Sequence, residues 1–219
     1  MHLKSNIPTI HTMKKILLYL FVLISCSTTA QTTIYLPQPL PLKSSRMTLM
    51  QALSQRHSVR EYTEKSISDQ TLSTLLWAAC GINRPKEKRI TAPSAINGQD
   101  ITVYVCRQNG AYRYDALSNI LVKVSTEDLR SHVAGGQAFA KQAPICLVLV
   151  SDASKVRFQN ELSAMDAGFV SENICLACTA LKLATVPRAT MDKDSLHKAL
   201  GLTETQHPIL NNPIGWPKE

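Results

Sequence analysis

Several patterns are missing from this sequence, and each absence closes off a class of protein. No run of lysines and arginines is interleaved with aromatic residues, so the footprint of a nucleic-acid binder is not there. No twin-arginine pair, the mark of export in the folded state, stands near the start; the basic residues there are Lys14 and Lys15. The apolar run from Ile16 to Ile24 is far shorter than the roughly 20 residues that span a bilayer. Apart from Cys26 the cysteines are Cys80, Cys106, Cys146, Cys175 and Cys178, an odd number that argues against a disulfide framework. Cys175 and Cys178 have the spacing of a metal or redox pair. No second pair or histidine cluster accompanies them, and in an apolar helical run cysteines act as small hydrophobes. There are no internal repeats.

What remains is an ordinary globular composition. Of 219 residues, 44% are hydrophobic and 18% charged, enough for one domain with a sizeable core. Ahead of it lies a leader. Met13-Lys14-Lys15, the apolar run and then Ser25-Cys26-Ser27-Thr28-Thr29-Ala30 describe a secretory signal peptide over residues 1–30, with translation expected from Met13. Leu23-Ile24-Ser25-Cys26 resembles a lipobox, which would leave Cys26 as a lipid-anchored N-terminus. Thr28-Thr29-Ala30 is the alternative cut, leaving Gln31 first. Either way the protein is expected to be exported, periplasmic or membrane-anchored. Loss of Lys4, Lys14 and Lys15 takes the net charge from +8 to +5, mild enough for a single anionic cofactor.

Residues 31–46 form a proline-bearing, extended lead, and the domain proper spans 47–219. Helical spacing begins near Met47, with Leu49, Met50 and Leu53 on one face. A second helix opens at Ser68, a capping residue, and buries Leu72, Leu75, Leu76 and Ala79 before Gly81. Residues 83–99 make a basic loop. A strand follows from Ile101 to Cys106, and Asn109-Gly110 signals a hairpin to Ala111–Tyr114. Asp128 to Lys141 reads as a helix and Ile145 to Val150 as a strand covered on both faces. A long helix runs from about Glu161 to Leu183, apolar nearly all round, and is expected to be central or at a subunit interface. A short helix from Lys193 to Leu200 and a strand near Ile209 close the chain. This order predicts an α+β fold, helices flanking a sheet.

Three segments carry the candidate chemistry. Arg56-His57-Ser58-Val59-Arg60 offers guanidinium forks and a hydroxyl that suit a phosphate; an Arg-rich surface turn is the plainer alternative. Ala92 to Gln99 is a loop of small residues in which Asn97 can both donate to and accept from a heterocycle. Val186 to Asp192 follows the long helix, and Gly215-Trp216-Pro217-Lys218 ends the chain.

Together these motifs resemble the nitroreductase family. They are Arg56-His57-Ser58 with Arg60, Pro93-Ser94 with Asn97 and Gln99, Asp166-Ala167-Gly168 with Glu172-Asn173, and the closing Gly215 with Pro217-Lys218. The helix end Leu76–Arg84 and the hairpin Ala111–Asp115 look like the subgroup related to azoline dehydrogenases. The resemblance covers about residues 36–218. It implies a nitroreductase-like fold with a central mixed sheet and an intertwined homodimer, binding FMN. Arg56 and Ser58 would hold the FMN phosphate with His57 beside them, and Lys218 would complete that site. Arg60 would lie at the pyrimidine edge, where a cation raises the cofactor's potential. Pro93, Ser94, Ala95 and Asn97 would come from the other subunit. Ala189 and Thr190 would face flavin N5, although Ala189 stands where glycine is frequent. Lys182-Leu183-Ala184 likewise replaces glycines common after the long helix.

The implied activity is hydride transfer through flavin N5 to or from a small organic molecule, nitro- or quinone-like or peptide-derived, with NAD(P)H a candidate donor. No protein group is expected to act as acid, base or nucleophile, and His132, His197 and His207 are read as surface or core residues. No metal is implied. Export sits awkwardly with a cytosolic donor, so an exported binding or interaction lipoprotein without turnover stands as the alternative.

Overall fold

The computed structural model describes residues 32–40, 47–156 and 159–218. The leader, both candidate cut sites and residues 41–46 of the lead lie outside these. In chain order the elements are β1 (Thr33–Tyr35), α1 (Leu49–Gln55), α2 (Asp69–Cys80), β2 (Ile82–Arg84), β3 (Arg89–Ile90), β4 (Ile101–Arg107), β5 (Gly110–Asp115) and β6 (Ile120–Ser125). Then come α3 (Arg130–Ala134), α4 (Phe139–Gln142), β7 (Ile145–Asp152), α5 (Gln159–Ala180), β8 (Ala184–Thr185), α6 (Lys193–Ala199) and β9 (Gln206–Gly215).

Seven strands form one sheet in the order β1-β6-β5-β4-β7-β9-β8. The expected mixed sheet is corrected in one respect: every neighbouring pair is antiparallel. The chain crosses from β7 through α5 to β8, which runs in the same direction as β7. Strand β9 then enters between them and runs against both. The described part of the lead is extended as expected, and β1 adds an edge to the sheet beside β6.

Strand β7 is covered on both faces, as its unbroken apolar run implied, and alternation sorts its side chains between two cores. Ile145, Leu147 and Leu149 face one core with Leu72, Leu75 and Leu76 of α2 and Ile174 of α5. Cys146, Val148 and Val150 face the other with Val133 of α3 and Leu196 of α6. Each fully buried leucine of α2 contributes about 1.5–3 kcal/mol. That helix starts where expected: Ser68 Oγ accepts from Thr71 N–H at 3.2 Å.

Three expectations need revision. The predicted helix from Asp128 to Lys141 is two short helices, because Gly135 takes φ +52° and Gly136 φ +85°, which break the ladder. A Cβ on Gly135 would lie 2.7 Å from Met191 Cα, so a turn that dense excludes any other residue. Helix α5 stops at Ala180 instead of Leu183. Lys182 adopts φ +58°, while Leu183 N–H reaches Cys178 O and Lys182 N–H reaches Thr179 O. That is a Schellman closure with lysine where glycine is usual. The hairpin forms as predicted, but its turn is Gln108-Asn109, and only Gly110 takes positive φ.

Candidate functional site

Helix α1 begins with a capping box, Thr48 Oγ1 accepting from Gln51 N–H while the Gln51 side chain accepts from Thr48 N–H. It ends at Arg56, whose ψ of 122° turns the chain out of the helix. The next residues are stitched to two distant segments. Val59 N–H donates to Thr185 O of β8 at 2.9 Å, Thr63 N–H donates to Trp216 O at 2.8 Å, and Lys218 N–H donates to Glu61 O at 3.4 Å. Tyr62, 2% exposed, sits beneath this seam and donates its hydroxyl to Val59 O. Gly215 lets the terminal strand pass: a Cβ there would come within 2.8 Å of Pro144 and 3.0 Å of Tyr62. So Arg56–Arg60, β8 and the closing Gly215–Lys218 form one patch of a single chain.

The charges of that patch are unspent. The ion pairs among the described residues are Arg107–Asp69, Arg130–Asp128 and, when His132 is protonated, His132–Asp192. None uses Arg56, Arg60 or Lys218. Arg56 and Arg60 act only at longer range, on the Cys175 thiol and the Tyr62 hydroxyl, both of which burial pushes up. With the exposed Ser58 and His57 between Arg56 and Arg60, the strip has the donors an anion takes. His57 itself turns Nδ1 to Gln55 O at 2.8 Å.

The segment carrying Ala189 and Thr190 is held from behind. Arg188, 7% exposed, bonds Gln137 Oε1, Val133 O, Ala134 O and Asn211 Oδ1, and stacks over Phe139. Its main chain pairs with that of Asn211, whose Nδ2 donates to Arg188 O and Thr190 O. Ala189 and Thr190 are left exposed. Ala189 has an ordinary negative φ, so the backbone here does not call for glycine. Neither Arg188 nor Asn211 was singled out from sequence. A buried arginine without an acidic partner leaves no pattern to find.

The third segment lies elsewhere. Ala95 N–H donates to both carboxylate oxygens of Asp166, at 3.0 and 2.9 Å, whereas Arg56 bears on Cys175 of the same helix. Nine residues at 1.5 Å each separate these points by about 13 Å along α5. Among the described residues no hydrogen bond joins Pro93, Ser94, Ala95 or Asn97 to the cation patch; this loop is fastened to α5 through Asp166 instead. The face between is apolar and uncovered: Leu49, Met50 and Leu53 of α1, Met165 and Phe169 of α5, and Ile96 are 47–75% exposed. The α1 stripe that the spacing put on one face points outward, and α5 buries one face and exposes another. A patch of that kind is characteristic of an interaction surface.

The family model for nitroreductases matches residues 53–216. The chain belongs to the nitroreductase family. A crystal structure from Ralstonia eutropha JMP134, titled as a nitroreductase, superposes with a TM-score of 0.79 at 35% identity, covering 87% of this chain and 92% of that one. A Methanocaldococcus jannaschii protein named as a nitroreductase is 27% identical over 181 residues, 76% of this chain and 90% of its own length. The Bacillus subtilis FMN reductase [NAD(P)H] is 24% identical over 190 residues, 78% of this chain and 66% of that one.

The cysteines of the nitroreductase chain match the plainer reading. Cys80, Cys106, Cys146, Cys175 and Cys178 are free and buried. Burial raises each thiol, Cys80 and Cys146 to about 12, so none is poised to react. His197 Nε2 meets Thr203 O at 3.0 Å, a local contact. Among the described residues no group of histidines, cysteines and carboxylates is arranged to hold a metal, and no helix is long and apolar enough to cross a membrane.

Proposed function

We propose that two copies of this chain enclose FMN and exchange hydride between a donor and a small organic acceptor. Family membership makes the protein an FMN-dependent oxidoreductase. The observation that supports the cofactor assignment is the seam joining Val59 to Thr185 and Glu61 to Lys218, which sets the segment carrying Arg56, Ser58 and Arg60 beside the one carrying Lys218, with none of the three cations in an ion pair among the described residues. FMN brings one phosphate and one flat ring, and the residues present fit both.

Arg56, Ser58 and Lys218 are assigned to the phosphate, with His57 alongside. Arg60 is assigned to the pyrimidine edge, where its fixed positive charge favours the electron-rich cofactor. Ala189 and Thr190 present exposed backbone toward the reactive edge, positioned by Arg188 and Asn211. Pro93, Ser94, Ala95 and Asn97 are assigned to the site of the second copy, as the family resemblance implies and as their fastening to Asp166 rather than to the cation patch favours. The uncovered apolar face on α1 and α5 supports that homodimer. When bound, FMN supplies hydride exchange at N5, and the protein binds, orients and excludes water; no side chain is assigned as acid, base or nucleophile.

NAD(P)H is the proposed donor, and a nitro, quinone-like or peptide-derived compound the proposed acceptor. The basic-then-apolar leader supports export, with a lipid anchor at Cys26 as one form of it.

The test is an absorbance spectrum of the purified protein followed by titration with FMN. Wild type should show flavin bands at one FMN per chain. Arg56→Ala with Ser58→Ala should weaken binding at least about a hundredfold, since charge-assisted bonds are worth about 1.5–3 kcal/mol each. Unchanged affinity in that variant removes the phosphate assignment.

A further inference from the structure

The loop that carries Asn97 is strained. Ile96, Asn97 and Gln99 have φ of +47°, +57° and +47°. Left-handed backbone costs about 1–2 kcal/mol at a residue with a Cβ, and for a β-branched one such as Ile96 it is a genuine outlier. Strain of this kind persists only where the surroundings over-determine it. Here Gln99 N–H donates to Ser94 Oγ at 2.9 Å, Gln99 Nε2 donates to Lys88 O at 3.1 Å, and Gly98 packs so tightly on Lys155 O that a Cβ would lie 2.8 Å from it. The anchor beneath is Asp166, which takes the Ala95 N–H with both oxygens.

That anchor is an expensive one. Asp166 is 2% exposed and close enough to the wholly buried Asp100 for the two carboxyls to act on each other. Asp100 accepts from Ser151 Oγ, and Ser151 Oγ in turn contacts Ser163 Oγ at 2.8 Å, while Asp100 Oδ1 has no donor. Two acids thus share a dry site, and no ion pair among the described residues neutralises either. On the neighbouring elements, Lys155 spends its Nζ on Gln99 O. Lys193, Asp194, His197 and His207 line a cavity of about 520 Å³ beyond Ser151 and Ser163. Burying like charges together costs stability, and a neutral amide would fill the same place without that cost.

We propose that Asp166, set against Asp100, is a positioning residue: its charge holds the Ala95 amide and so fixes the strained loop that delivers Asn97 to the flavin of the second copy. This rests on the assignment of Asn97 to the flavin made above. Burial first, and then Asp100, raise the Asp166 carboxyl to about 6, while the Ala95 N–H pulls the other way. Acidification through that range takes the charge off Asp166 and loosens its grip on the amide.

The experiment uses the full dimer and FMN itself as the probe, with wild type, Asp166→Asn and Asp166→Ala each titrated at pH 7.5 and pH 5. Asp166→Asn keeps one oxygen to accept from Ala95 and removes the charge set against Asp100, so it should melt higher than wild type at pH 7.5. It should nevertheless bind FMN several-fold more weakly there, and Asp166→Ala at least tenfold more weakly. Wild-type affinity should fall between pH 7.5 and 5 by a larger factor than that of Asp166→Asn; ionisation of the FMN phosphate is common to both and cancels in the ratio. A purely structural role would move melting and affinity together. Wild-type affinity and pH dependence in a folded Asp166→Asn protein overturn the proposal while leaving the flavin assignment standing. Failure of wild type to bind FMN at all overturns that assignment, and this inference with it.

Discussion

Replacing Arg188 tests whether the Ala189–Thr190 loop, proposed above for the flavin's reactive edge, is held from behind. The guanidinium bonds Val133 O at 3.2 Å, Ala134 O at 2.7 Å, Asn211 Oδ1 at 2.8 Å and Gln137 Oε1 at 2.8 Å. Arg188→Met keeps the stem against Phe139 but leaves the two carbonyls and the Asn211 oxygen without donors. Each orphaned acceptor costs about 1–3 kcal/mol. Against this, the wild-type charge is buried without an acid, and burial already depresses its basicity, so removing it recovers part of the loss. The net expectation is a loss of about 2–4 kcal/mol, a large share of the roughly 5–15 kcal/mol that stabilises a domain. Arg188→Lys should fare little better, because an ammonium cannot reproduce the fork. Urea denaturation of the FMN-free protein reads the stability, and an FMN titration reads the site, since Asn211 would no longer be held to carry Thr190 O. An Arg188→Lys protein with unchanged midpoint and unchanged FMN affinity would refute the reasoning.

Other substitutions probe separate parts of the account. Lys182→Gly relieves the left-handed strain at the end of α5 and should raise stability by about 1 kcal/mol, read as a melting temperature about 2–4 °C higher. Phe169→Glu places a charge in the uncovered apolar face; sedimentation should show monomer replacing dimer, and FMN binding should fall with it. The pH dependence of stability has a defined sign at Asp166. Its carboxyl is raised to about 6 in the folded protein, so the folded state holds the extra proton between about pH 4 and 6. Stability from this group is present at the acid end of that window and is lost as pH rises through 6, by up to about 3 kcal/mol. The stability gap between Asp166→Asn and wild type, measured by denaturation, should therefore be widest at pH 7.5 and close by pH 4.5.

Much of this molecule could be read from its residues. Ser68 capping α2, the leucine stripe behind it and the unbroken run of β7 are local patterns whose period reports burial directly. The fold joins the Arg56–Arg60 strip to Lys218 through main-chain bonds that no pattern announces. Patterns failed where packing decides. The stripe of Leu49, Met50 and Leu53 has the spacing of a buried face, and periodicity shows that residues share a face without showing what covers it. The break at Gly135 depends on Met191, fifty-six residues away. Arg188, Asn211 and the acid pair of Asp100 and Asp166 are meetings of distant positions, and neither member of each signals the other.

The account depends most on one flavin site being assembled from two chains, and subunit complementation tests that directly. Protein carrying Arg56→Ala and Ser58→Ala is mixed with protein carrying Asn97→Ala, the chains are exchanged, and bound FMN is counted by absorbance. In a mixed dimer one site receives Arg56 and Ser58 from one chain and Asn97 from the other, all intact. The account predicts that one tight FMN per mixed dimer reappears where neither parent binds tightly. No recovery from a verified mixed dimer would mean that each chain builds its site alone.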